Sequence, residues 1–175
     1  MNLARRLNRF LDRLRAPEAF EAAARPGSAN DLDGLRGHKY CLLVSFRQSG
    51  EPVPTPVWFG LERDRAYINT RERNAKLKRI RRDPHVRVGP CSLRGKPLGP
   101  LAEGSARVVP PADEERAETA LRSNYGLIRR LYYSSFGSRG DPTVYVEVAA
   151  TPTLRAATNV SRSSTTPATH PRPSA

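Results

Sequence analysis

The chain has 175 residues, with 30 Lys and Arg against 17 Asp and Glu and a net charge of +13 at pH 7. This length suits one domain with a substantial core, and the charge admits nucleic acid, an anionic membrane or an anionic cofactor as partner without choosing among them. No apolar run approaches the roughly 18–20 residues that span a bilayer and no cleavable secretory signal is visible, so the expected location is the cytoplasm.

Leu3, Leu7, Phe10, Leu11 and Leu14 recur at helical spacing opposite Arg5, Arg6, Arg9 and Arg13. That stripe either packs on protein or lies on an anionic membrane surface. Ala16-Pro17 is expected to end this helix and residues 25–30 to form a loop, so 1–30 reads as an N-terminal appendage. The period then changes. Tyr40–Phe46 is a buried strand, 48–51 a turn, 53–60 the returning strand and 67–70 a third. Asn74 is placed to cap a helix over 75–82 that Asp83-Pro84 ends. Strands follow at 85–91 and about 99–109. A helix enters through Pro110–Glu115 and continues past a break at Gly126 to Tyr133, and a last strand begins at Thr143. Several antiparallel strands with short helices make a small barrel over 31–155. The Ser-, Thr- and Pro-rich segment 156–175 reads as a disordered tail.

Functional signals concentrate between Gly50 and Pro84. Pro52, Pro54 and Pro56 alternate within one strand and cannot donate ladder hydrogen bonds, so one edge of that strand is left unpaired or bulged. Between Arg71 and Arg87 stand eight basic residues and two acidic ones. Helix starts attract anions through backbone N–H groups and the helix dipole, and Lys76 and Lys78 in the first turns make this a candidate phosphate site. The competing reading is a solvated basic face. Trp58, the one tryptophan, reads either as core or as a pocket wall, and Thr55 could hydrogen-bond a ring heteroatom. Cys41 and Cys91 lie in apolar strands and read as buried free thiols. His38, His85 and His170 show no metal spacing, so no metal site is expected. With no nucleophile elbow, phosphate-binding loop or carboxylate pair in view, any enzyme built on this chain would take its chemistry from a cofactor.

Three segments, Gly50–Phe59, Asn74–Pro84 and Pro90–Pro100, together with Glu103-Gly104-Ser105-Ala106-Arg107, carry a resemblance over about 36–150. The sequence resembles the flavin- and deazaflavin-dependent split-barrel oxidoreductases related to pyridoxamine 5′-phosphate oxidase, above all the actinobacterial branch of coenzyme F420-dependent enzymes. The resemblance implies a six-stranded antiparallel split β-barrel, a homodimer with cofactor sites at the subunit interface, and hydride transfer between F420 and an unsaturated or conjugated small molecule, with FMN as the alternative cofactor. It also implies site residues: Thr55, Pro56 and Val57 along the ring, Asn69, Thr70, Asn74, Lys76 and Lys78 toward the phosphate, and Pro90 and Cys91 on the strand closing the pocket. It supplies no catalytic acid or base.

Two rival classes give a similar sequence. One is a cofactor carrier without a reaction of its own. The other is a nucleic-acid-binding barrel, against which stand an aromatic content of 7% and the lack of solvent-facing aromatic pairs for base stacking.

Overall fold

The computed structural model describes residues 16–136 and 142–151, with the backbone alone over 127–136. The leucine stripe of residues 3–14 and the tail from 156 lie outside the described residues. Six strands, β1 (Tyr40–Phe46), β2 (Pro52–Glu62), β3 (Arg65–Arg71), β4 (His85–Cys91), β5 (Ala102–Val108) and β6 (Thr143–Ala150), form a closed antiparallel barrel in the order β1-β2-β3-β6-β5-β4. Helix α1 spans Pro17–Ala24, α2 Ala75–Arg82 and α3 Glu114–Phe136.

Side chains alternate in and out of the barrel wall, as the two-residue strand period requires. Cys41, Leu43, Val57, Phe59, Ile68, Val86, Val88, Val146 and Val148 fill the interior together with Leu77 and Ile80 of α2. Those two residues stand three apart on the one apolar face of a helix that is otherwise cationic, so burying them turns α2 into a plug for one barrel end. Asn74 caps the helix as expected, its Oδ1 accepting from the Lys76 N–H at 3.1 Å, and the helix ends at Arg82 before Pro84.

The outer wall is covered twice. Ala19 and Ala23 of α1 lie fully buried on Leu42, Val44, Phe46 and Cys91. The sequence reading placed Ala16-Pro17 only as a helix end; Pro17 opens α1, since a proline at the first helical position loses no hydrogen bond. On the other side α3 packs its backbone directly on β2. A Cβ at Gly60 would stand 2.1 Å from the carbonyl oxygen of Ala120, so only glycine permits that approach. Gly126 breaks α3 with φ 50° and ψ −129°, where a break was expected. Two carboxylates hold the outer wall. Glu147 accepts from Arg65, Arg107 and Tyr67, and Glu103 accepts from Arg87, His85 and the Gly27 N–H.

Candidate functional site

The barrel wall parts between β2 and β3. These strands pair only from Phe59↔Ile68 to Glu62↔Arg65, and among the described residues no strand pairs with 52–58 on that side. Beyond Ile68, β3 stays with β6 through Asn69↔Tyr145, Thr70↔Val144 and Arg71↔Thr143. The gap therefore has the 52–58 edge of β2 as one lip and 69–71 as the other. Glu72, Arg73 and Asn74 lead from that second lip into α2.

The proline pattern explains why β2 can keep such an edge. Arg47 N–H donates to Glu51 O at 2.9 Å, and Tyr125 Oη bridges Phe59 N–H (3.1 Å) and Lys39 O. Both ends of the β1–β2 ladder thus place odd-numbered residues of β2 in the hydrogen-bonding positions facing β1. An antiparallel ladder alternates these positions with ones that face the other way, so Pro52, Pro54 and Pro56 turn toward the gap. Their carbonyls face it, and the three prolines contribute no N–H there. An edge with three positions that lack a donor resists pairing with a stray strand.

The expected site residues fall into three groups. Thr55, Val57 and Pro90 face inward by register with Leu43 and Cys41, and Thr70 faces inward beside Ile68 and opposite Val144. Thr55 is half-buried, whereas Val57 and Pro90 are buried. Pro56 faces outward beside Leu42 and contributes to the gap through its backbone. Asn69 also faces outward, opposite Tyr145. Neighbouring residues of a strand point to opposite sides, so the Asn69 and Thr70 side chains stand on opposite faces of this lip. Cys91 leaves the candidate site altogether, because it is 2% exposed and sealed under α1 with Ala19 and Ala23. Trp58 likewise lies outside the barrel, stacked on Tyr125 with ring centroids 4.7 Å apart.

The basic helix is less uniform than its sequence. Arg79 Nε donates to the buried Ser45 Oγ at 2.9 Å, Arg82 Nη2 to Phe46 O at 2.6 Å, and Arg81 pairs with both oxygens of Glu72. Arg79 is thus tied to a buried hydroxyl of β1. Asn74 also occupies most first-turn donors, its Oδ1 taking the Lys76 N–H and its O taking those of Leu77 and Lys78. The anion-attracting capacity of the helix start therefore rests on side chains, namely half-buried Lys76 and exposed Arg73 and Lys78. Burial pushes the Cys41 thiol well above its ordinary value, and the Lys76 ammonium pulls against that rise. Burial alone carries the Cys91 thiol up to about 12. Neither cysteine is a thiolate at neutral pH, and both are free and buried, as expected.

Among the described residues no group of three His, Cys, Asp or Glu could hold a metal ion, and no helix is long and apolar enough to cross a membrane. The Thr70 hydroxyl is the one buried side-chain polar atom without a hydrogen-bond partner among the described residues. Buried hydroxyls without partners are uncommon, and an unfilled ligand position is one physical reason for them.

A closed six-stranded antiparallel barrel parted along one strand pair is a split barrel. The chain belongs to the pyridoxamine 5′-phosphate oxidase family, whose model matches residues 30–152. No curated protein sequence matches it. Among solved structures it is similar to Atu2129 from Agrobacterium tumefaciens, a protein of unknown function (17% identity, 79% of this chain and 55% of that one, TM-score 0.53). It is also similar to HutZ, the haem storage protein of Vibrio cholerae (11% identity, 67% and 85%, TM-score 0.51). A third is the conserved hypothetical protein Rv2991 from Mycobacterium tuberculosis (16% identity, 72% and 86%, TM-score 0.49). At these identities the likeness is one of fold.

Proposed function

We propose that this protein is an oxidoreductase that binds coenzyme F420, a deazaflavin, in the gap between β2 and β3 and passes a hydride to or from an unsaturated small molecule. FMN is the alternative occupant of the same gap. The observation that carries this reading is the parted β2–β3 pair, with an unpaired backbone edge on one lip and Lys76 at the start of α2 beyond the other. The residues present fit such a group. Thr70 holds a buried hydroxyl lacking a partner among the described residues, and Val57 and Pro90 are apolar and face the same interior.

When bound, such a coenzyme supplies the two-electron hydride centre. The chain's own part is binding and orientation. Lys76, Lys78 and Arg73 attract the anionic end, the lips of the gap hold the ring flat, and the barrel interior excludes water behind it. A homodimer belongs to this reading, since a second subunit would close the gap from outside. Light scattering at tens of micromolar should give twice the chain mass, and a monomer would remove that wall.

The test is an equilibrium titration with F420 and FMN side by side. Micromolar or tighter binding of F420, with weaker binding of FMN, is expected at low salt. Purification with stoichiometric FMN would transfer the assignment to the alternative, and binding of neither would reject the reading. Turnover with an added acceptor then separates an enzyme from a carrier.

A further inference from the structure

Among the described residues the large apolar side chains left in water are Phe20, Leu93 and Leu98, exposed by 48%, 66% and 53%. All three belong to α1 and to the hairpin of residues 90–98. That hairpin closes through Leu98 N–H to Pro90 O and Ser92 N–H to Lys96 O, both 2.9 Å, with Leu93 and Arg94 at its tip. The tip is fastened to the start of α1, where Ala16 N–H donates to Arg94 O at 2.9 Å. Phe20 stands one helical turn beyond Ala16 on the same flank. Ala19 points into the wall, so Glu18 and Phe20, one residue to either side of it, fall on opposite flanks of α1. Glu18 and Glu21 face a cleft shared with Lys96 and Pro97.

Cations interleave these apolar tips. Arg94 and Lys96 stand between the two leucines, both exposed. Lys96 Nζ lies 4.0 Å from a Glu18 oxygen, in a solvent-exposed pair of the kind that headgroup oxygens readily replace. Residue 15 joins the described chain at this same point, so the Leu and Arg stripe of residues 3–14 is delivered beside the hairpin tip. Residues 1–15 hold Arg5, Arg6, Arg9, Arg13 and Arg15 against Asp12 alone.

We propose that the start of α1, the 90–98 hairpin and residues 1–15 together dock on an anionic lipid bilayer. Phe20, Leu93 and Leu98 enter the boundary between headgroups and acyl chains, while Lys96 and the arginines of residues 1–15 meet lipid phosphates. Sparse apolar tips among cations fit a bilayer better than a protein partner. A stable protein interface covers about 800 Å² on each side, and its core is depleted of charge. An interfacial membrane site needs only a few inserted side chains and a basic rim. Docking there would give the protein access to apolar small molecules dissolved in the bilayer. The proposal is independent of which cofactor fills the gap.

The test is co-sedimentation of the full chain with vesicles of phosphatidylcholine and phosphatidylglycerol, against vesicles of phosphatidylcholine alone. Partition onto the anionic vesicles should exceed that onto the neutral ones by about tenfold or more at low salt and fall as salt rises. Phe20→Ser combined with Leu93→Ser should lower it by about tenfold at unchanged Tm, since both side chains are exposed. Leu93→Trp should raise it, and its emission should shift to the blue when vesicles are added, relative to the wild-type chain with Trp58 alone. Equal partition onto both kinds of vesicle, or onto neither, would overturn the proposal. Undiminished binding by the double variant, or an unshifted emission from vesicle-bound Leu93→Trp, would overturn the role of this face and leave the contact to residues 1–15. A changed oligomeric state in the double variant, with vesicle binding intact, would assign the face to a second copy of the chain and overturn the proposal likewise.

Discussion

Replacing Lys76 and Arg79 in turn should separate binding from stability along a single turn of α2. The two residues are three apart and both basic, yet their surroundings differ. Arg79 spends its guanidinium on Ser45 Oγ at 2.9 Å, and Ser45 is 1% exposed. Arg79→Ala would leave a buried hydroxyl without that donor. A hydrogen bond to a charged group contributes about 1.5–3 kcal/mol, and the abandoned partner adds to the loss. For a chain of this size each kcal/mol moves Tm by about 2–4 °C, so a drop of roughly 5 °C or more is expected, with cofactor affinity in the surviving native protein nearly unchanged. Lys76 sits half-buried in the first turn beside the gap. A charge-assisted bond to a phosphate or ring oxygen contributes about 1.5–3 kcal/mol. At about 1.4 kcal/mol per factor of ten, Lys76→Ala should raise Kd by about ten- to a hundredfold. Urea melts read the first effect and fluorescence titration the second. Equal, small losses of affinity from the two variants, with no change in melting, would refute the division and leave a basic surface that attracts anions diffusely.

Deleting residues 1–25 removes α1 and uncovers Leu42, Val44 and Cys91, so this truncation should melt far below a 1–15 deletion, which retains α1; matching melts by circular dichroism would contradict the packing. Gly60→Ala places a methyl group into the backbone of α3 at Ala120 and should cost several kcal/mol or abolish soluble expression, whereas Gly34→Ala, where a Cβ meets nothing within 4 Å, should be tolerated. Burial pushes the Glu147 carboxyl upward, but bonds from Arg107 and Tyr67 overcome it and leave the group below its ordinary 4.5; Glu103 ends below 4.5 by the same balance, through Gly27, His85 and Arg87. A carboxyl depressed in the folded state contributes stability that is complete above its unfolded value and lost as pH falls through the folded one. Melting temperature should therefore hold steady down to about pH 5 and fall below it, and Glu147→Gln should flatten that acid limb.

Residues 40–46, 75–82 and 85–91 were legible as elements to the residue. Each is marked by local chemistry: a short continuous apolar run, an asparagine cap with a side-chain oxygen at the correct offset, and an Asp-Pro stop. The unpaired edge of β2 was legible too, because proline lacks an N–H in any fold. Helix α1 was not. Its buried face is only Ala19 and Ala23, too weak a stripe to register, and Pro17 serves equally to stop one helix and to start another.

What only the tertiary structure decided was which groups meet. Nothing local in Arg79 marks it, among the cations of α2, as the one tied to the buried Ser45; the path of α2 across the barrel end makes that contact. Cys91 and Pro90 are neighbours in sequence, but the helix lying over the outer wall buries the thiol away from the gap while the proline faces the interior. The orphaned hydroxyl of Thr70 is likewise invisible along the chain, since a missing partner shows only when every neighbour is in place. Sequence carries propensities and periods, which act over a few residues. Pairing, burial and the faces that look into a cavity depend on contacts between residues tens of positions apart, and those exist only once the barrel closes.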